Sequence, residues 1–137
     1  MIRGYMDADY DQVKVLYQHG EWYGGQFDEH RDSRDVLMHK ITTDPQAIIV
    51  DDENGVILGT ISIIEDGRVA WFYRFVVKEN NLETSQALYS AAAGVLKSRG
   101  HPEVLIYSDP AREDLSSRYR SLGMEKGGDY ACFYAAL

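Results

Sequence analysis

The side chains in this sequence that bind metals or act as nucleophiles form no familiar active-site pattern. His19, His30, His39 and His101 show neither HExxH spacing nor any other metal-ligand spacing, so no metal is expected. There is no Gly-x-Ser-x-Gly elbow, lysine-bearing phosphate loop or dinucleotide fingerprint. Hydrolase, P-loop NTPase and Rossmann readings are thereby removed. The lone cysteine, Cys132, lies in the apolar run of residues 130–137 and reads as a small core residue rather than a nucleophile. One spacing does carry a physical meaning. Asn80 and Glu83 stand as in a capping box, in which each side chain satisfies the other's end of a helix start. The formal net charge of −8 argues against nucleic acid as a partner and favours a cationic acceptor such as an amine.

The elements that must hold these residues fit a single domain spanning residues 1–137, of which 45% are apolar. No apolar stretch is long enough to span a membrane, and residues 1–4 lack the apolar core of a signal peptide, so a soluble cytoplasmic protein is expected. Residues 2–6 read as a strand. Asp7 or Asp9 then caps a helix carrying Val13, Leu16 and Tyr17 on one face and ending near Gly20. A loop over residues 21–27 leads to a polar helix over about 32–42, stopped by Asp44-Pro45. Strands follow at 47–50 and 56–64, joined through Asn54-Gly55, and a turn at Glu65-Asp66-Gly67 opens a strand over 68–78. Alternation places Val69, Trp71, Tyr73, Phe75 and Val77 on one face of that strand, with Ala70, Phe72, Arg74 and Val76 on the other.

Helical spacing of Leu88, Ala91, Ala92, Val95 and Leu96 predicts a helix over 82–99 that stops at Gly100. A short strand at 104–107 comes next. Asp109-Pro110 starts a last helix with Leu115, Tyr119 and Leu122 on its buried stripe, Gly123 ends it, and residues 130–136 read as the final strand. The order predicts a mixed α/β sheet with helices on it, in which strands 68–78 and 104–107 run parallel across a helical crossover.

This order, together with Ser117-Arg118-Tyr119-Arg120-Ser121-Leu122-Gly123-Met124, resembles the GNAT N-acetyltransferase superfamily over nearly the whole chain. The opening Ile2-Arg3, Leu58-Gly59 in the third strand and Arg99-Gly100 after the long helix add to the likeness. The resemblance implies a central mixed sheet flanked by about four helices. It also implies transfer of an acetyl group from acetyl-CoA to a primary amine of a small molecule or a protein. In that family the backbone after the split between two parallel strands holds the acyl carbonyl and the pantetheine arm, which falls here on Phe75, Val76 and Val77. Backbone N–H groups do this with any side chain attached. The same three residues read equally well as ordinary buried strand residues.

The family's pyrophosphate loop has Arg or Gln, two variable residues, Gly, one variable residue, and Gly or Ala, because helix-end N–H groups attract phosphate and glycine admits it closely. This chain has Asn80-Asn81-Leu82-Glu83-Thr84-Ser85 there, a degenerate version. A carboxylate about 4 Å from a phosphate charge costs roughly 1 kcal/mol at water-like dielectric and about 4 kcal/mol at an effective dielectric of 20. Weak acetyl-CoA binding is therefore expected, with Glu83 either closing the capping box or swinging aside.

The resemblance makes Tyr119 the acid for the leaving thiolate, and its periodicity also suits packing beside Leu115 and Leu122. Arg112 replaces a common asparagine and either holds a phosphate or is solvated in a first helical turn. Trp22 and Tyr23, beside Gly24-Gly25, border the acceptor side, where they stack on a substrate or seal the sheet. Glu21, Glu65, Asp66 and Tyr73 are open candidates for the base. The alternatives to an enzyme are a catalytically silent GNAT-like binding or regulatory module that takes CoA weakly or not at all, and a homodimer built through the last strand.

Overall fold

The computed structural model describes residues 1–20 and 27–137. These form two compact units, Met1–Tyr107 and Ser108–Leu137. In the first unit the elements run β1 (Ile2–Gly4), α1 (Tyr10–His19), α2 (Glu29–Asp32), α3 (Arg34–Thr43), β2 (Ile48–Glu53), β3 (Val56–Glu65), β4 (Ala70–Val77) and α4 (Leu82–Ser98). The strands form an antiparallel sheet in the order β1-β2-β3-β4. No helix among the described residues is long and apolar enough to cross a membrane.

Alternation along β2 builds two cores. Ile48 and Val50 pack with Val13, Leu16 and Tyr17 of α1, whereas Ile49 joins Leu88, Ala92 and Leu96 of α4. The turns behave as their sequences require, with Asn54 at φ 53° and Gly55 at φ 87° between β2 and β3. Gly59 of β3 is demanded by a close approach. A Cβ there would lie 2.9 Å from Leu88 Cδ1, 2.9 Å from the Val76 carbonyl and 3.1 Å from Thr84 Cγ2. The start of α4 thus lies directly on the sheet.

Two extra residues reset the facing of side chains. On β3, Asp51 pairs with Gly59 and Asp52 with Ile57, so Leu58 is surplus, and Ile57 joins the α1-side core while Ile61 and Ile63 join the other. On β4, Thr60 pairs with Val76 and Ser62 with Tyr73, leaving Arg74 and Phe75 opposite Ile61 alone. The predicted alternation along this strand therefore fails. Ala70 and Phe72 share the α4-side core with Phe75 and Val77, and Val76 packs on the α1 side.

Other boundaries differ too. The helix expected over 32–42 is two helices, because Ser33 is extended at ψ 156° and its hydroxyl caps α3 by accepting the Val36 N–H at 3.3 Å. Asp9 caps nothing at α1; its carboxylate takes a bidentate bond from Arg3, 2.8 Å for each oxygen, and the Met6 N–H. The segment 104–107 forms no full strand but a single parallel bridge, Leu105 to Trp71, in the predicted parallel sense.

In the second unit α5 (Glu113–Ser121) starts later than Asp109-Pro110 suggests. Asp109 instead closes a turn, its carboxylate accepting the Ala111 N–H at 2.9 Å and its carbonyl the Arg112 N–H at 2.9 Å. Leu115 and Leu122 are buried as expected. Residues 130–136 form no strand, and Tyr130, Phe133, Tyr134 and Cys132 are exposed, which corrects the reading of Cys132 as core. Alternating apolar residues make a strand only where a neighbouring strand takes their N–H and C=O groups, and among the described residues none does.

Candidate functional site

Pairing on the outer side of β4 begins and then stops. The Phe72 N–H donates to the Leu105 carbonyl at 2.8 Å and the Leu105 N–H to the Ala70 carbonyl at 2.9 Å. Beyond this bridge no further pairing of β4 with segment 104–107 occurs among the described residues. Since Phe72 points its N–H outward, alternation turns Tyr73 toward its partner Ser62 on β3. After the bulge, Val76 faces Thr60 in the same way, so the N–H groups of Phe75 and Val77 are directed to the outer side, where the neighbouring segment has left β4. Of the three residues anticipated here, Val76 is paired with Thr60 in the sheet.

The bulge also brings two consecutive side chains to one face. Arg74 has φ 48°, a left-handed conformation, and its buried guanidinium lies 4.7 Å from the Tyr73 ring centre and 5.7 Å from that of Tyr17. It forms a two-point bond with Asp32 of α2, Nε to Oδ1 at 3.1 Å and Nη2 to Oδ2 at 2.7 Å. Neither side chain is more than 1% exposed. Burial pushes the pKa of the Tyr17 hydroxyl well up, so it stays protonated. The Tyr73 hydroxyl is buried, and its hydrogen-bonding interaction with the Arg31 side chain is the main cause that raises that guanidinium's pKa.

At the start of α4, a tight turn carries Glu79 and Asn80 both at φ 54°. The capping residue is Asn81, not Asn80: its side-chain oxygen accepts the Thr84 N–H at 3.1 Å and its carbonyl the Ser85 N–H at 3.0 Å. The box expected between Asn80 and Glu83 is therefore not the cap, because the left-handed Asn80 still belongs to the turn and the helix begins at Leu82. Glu83 is exposed in the first helical turn, while Thr84 and Ser85 are buried against the sheet. Neither of these two capping bonds uses the N–H groups of Leu82 and Glu83, the helix-end donors to which an anion would be drawn.

Two of the candidate bases have structural duties. Glu65 binds His101 at 2.7 Å and Arg99 at 3.2 Å, and Asp66 binds Arg68 at 2.6 Å, which lowers both carboxyl pKa values. Glu65 pairs with Ala70, four residues and so about 13 Å along β4 from Arg74. Tyr73 lies beside the bulge. Glu21, Trp22 and Tyr23 lie outside the described residues.

Tyr119 and Arg112 belong to the second unit. Burial raises the Tyr119 hydroxyl pKa, with Arg118 opposing weakly. The Arg112 guanidinium binds Asp114 at 3.0 and 2.8 Å, and its backbone stands at the N-cap of α5.

Sequence reasoning missed Asp32 and Arg74 as a pair. The signal was present: an arginine inside an apolar strand must find a buried counter-charge.

No family model and no curated protein sequence matches the chain. Solved structures match its fold closely. A transcriptional regulator from Bacillus halodurans is 16% identical with a TM-score of 0.77, covering 98% of this chain and 99% of its own. The PaiA N-acetyltransferase of Thermoplasma acidophilum, solved in complex with coenzyme A, is 16% identical with a TM-score of 0.73, covering 88% and 86%. A ribosomal-protein-alanine N-acetyltransferase from Brucella melitensis is 17% identical with a TM-score of 0.73, covering 93% and 86%. The fold of this chain is that of the GNAT N-acetyltransferases.

Proposed function

We propose that the chain is an acetyl-CoA-dependent N-acetyltransferase acting on a primary amine of a small molecule or a protein. The observation that carries this is the interrupted pairing on the outer side of β4, which directs the N–H groups of Phe75 and Val77 into the gap beside the bulge. Acetyl-CoA supplies an activated acyl group as a thioester. The residues present fit its acyl and pantetheine portion, since two backbone donors along an open strand edge match a carbonyl and an amide chain. They fit its pyrophosphate less well. The Leu82 and Glu83 N–H groups suit an anion, but the Glu83 carboxylate opposes it and no glycine is present in residues 80–85.

Fixed donors at Phe75 and Val77 stabilise negative charge that develops on a carbonyl oxygen, without reorganisation at the moment of reaction. The buried Tyr73 hydroxyl on this strand is a group able to accept a hydrogen bond from an incoming amine and so orient it. Tyr119, by resemblance the proton donor to the leaving thiolate, carries a neutral hydroxyl at pH 7, and the burial that raises its pKa makes it a weaker acid for that step.

Glu83 favours a second reading, a silent module of the same fold that takes CoA weakly or not at all. Calorimetry with acetyl-CoA separates the two, followed by thiol release across a panel of primary amines. Binding together with amine-dependent thiol release establishes the enzyme. Absence of binding at millimolar acetyl-CoA removes it.

A further inference from the structure

We propose that the buried Asp32–Arg74 pair is a positioning device, which clamps Arg74 in its left-handed backbone conformation and so fixes the direction in which Phe75 and Val77 present their N–H groups. What those N–H groups do rests on the acetyl-transfer reading above; the clamp itself does not.

A long side chain at φ 48° is disfavoured and persists only where its surroundings over-determine it. Here they do. The guanidinium is gripped at two points by Asp32, at 3.1 and 2.7 Å, and lies against the rings of Tyr73 and Tyr17. Asp32 is held in turn: its Oδ2 accepts the Asp28 N–H at 2.9 Å, and its carbonyl accepts the Tyr10 hydroxyl at 3.2 Å. The restraint therefore runs from α1 and α2 through Asp32 into the one residue where β4 leaves regular strand geometry.

A buried ion pair is weak evidence for stability. Two apolar side chains of similar volume commonly fill such a space as well as or better than a buried ion pair. What they would lack is direction, since the planar guanidinium fork donates to its carboxylate partner in one orientation. The bulge then lies between two anchors, with Val76 registered on Thr60 behind it and Tyr73 registered on Ser62 ahead of it. Arg74 sets the turn between them.

The test uses two variants of the full chain. Arg74→Gly keeps access to positive φ while removing the clamp. The double substitution Asp32→Leu with Arg74→Met removes both charges and keeps volume, and so stands in if the glycine variant does not fold. Amide ¹H–¹⁵N spectra are recorded for each folded variant without ligand, and calorimetry compares acetyl-CoA with CoA. The clamp predicts broadened or doubled amide signals at Phe75, Val76 and Val77 with the rest of the spectrum retained. It also predicts that any preference for acetyl-CoA over CoA is lost while the affinity for CoA itself is kept. If the wild type turns over, kcat falls by about 10²-fold with KM for acetyl-CoA unchanged, the cost of misplaced donors. Single sharp amide signals at their wild-type positions in a folded variant overturn the clamp, whatever the binding results. A wild type that binds neither nucleotide overturns the acetyl-transfer reading instead, and the amide spectra still decide the clamp.

Discussion

Replacing Glu83 by Gln should tighten CoA binding while slightly weakening the fold, and the opposite signs make the experiment informative. Glu83 is exposed in the first turn of α4, so its charge acts through water rather than through a dry interior. At about 4 Å from a phosphate charge, the repulsion is then about 1 kcal/mol rather than the about 4 kcal/mol of a partly screened site. Removing it should lower Kd roughly five-fold. The same carboxylate favours the helix dipole, so its loss should cost about 0.3–1 kcal/mol of stability, with little change in helix propensity because Gln and Glu rank alike. Calorimetry with CoA should show the gain at low salt and its disappearance near 1 M salt, where the screening length falls to about 3 Å. An unchanged Kd at low salt would refute the placement of phosphate beside Glu83. A gain that survives high salt would refute its electrostatic cause.

Tyr119→Phe should reduce turnover without loss of acetyl-CoA binding, and because burial raises the hydroxyl pKa, the wild-type rate should show no alkaline loss from this group below about pH 10; an unchanged rate removes it from the mechanism. Gly59→Ala should destabilise the fold by about 1–3 kcal/mol in denaturant titration, since the new methyl meets Leu88, Thr84 and the Val76 carbonyl at 2.9–3.1 Å. Asn81→Ala should cost about 1 kcal/mol through loss of the α4 cap, read as a lower urea midpoint. Asp44, bound by Arg99, and Glu65, bound by His101, have carboxyl pKa values below their ordinary range. Their stabilisation should be complete above the unfolded value of about 4 and lost as pH falls through the lower folded values, so a melting temperature constant from pH 5 to pH 2 would contradict it.

The order of elements and the antiparallel core of the sheet were legible because β2, α1 and α4 keep regular apolar periods and their turns carry Asn54-Gly55, Gly67 and Gly100. The facing of β4 was not legible. Its apolar positions on the α4 side are spaced two, three and two residues apart, at Ala70, Phe72, Phe75 and Val77, and strict alternation misreads every position after the extra residue. Nor was the cap of α4. Two adjacent asparagines are equally good caps by composition, and only the left-handed turn at Glu79 and Asn80 selects the second. The Asp32–Arg74 pair joins residues 42 positions apart, a distance no local pattern reports. Residues 130–136 have strand composition, but composition does not supply a neighbouring strand.

The exposed thiol of Cys132 bears on how any acetyl-transfer assay must be read. Detection of released CoA by a thiol-reactive dye will also register this single cysteine, one equivalent for each chain, at once and independently of turnover. For a slow enzyme assayed at high concentration, that step would pass for a burst of product. Cys132→Ser removes it, and the native thiol offers a single labelling point for a fluorophore on the terminal segment.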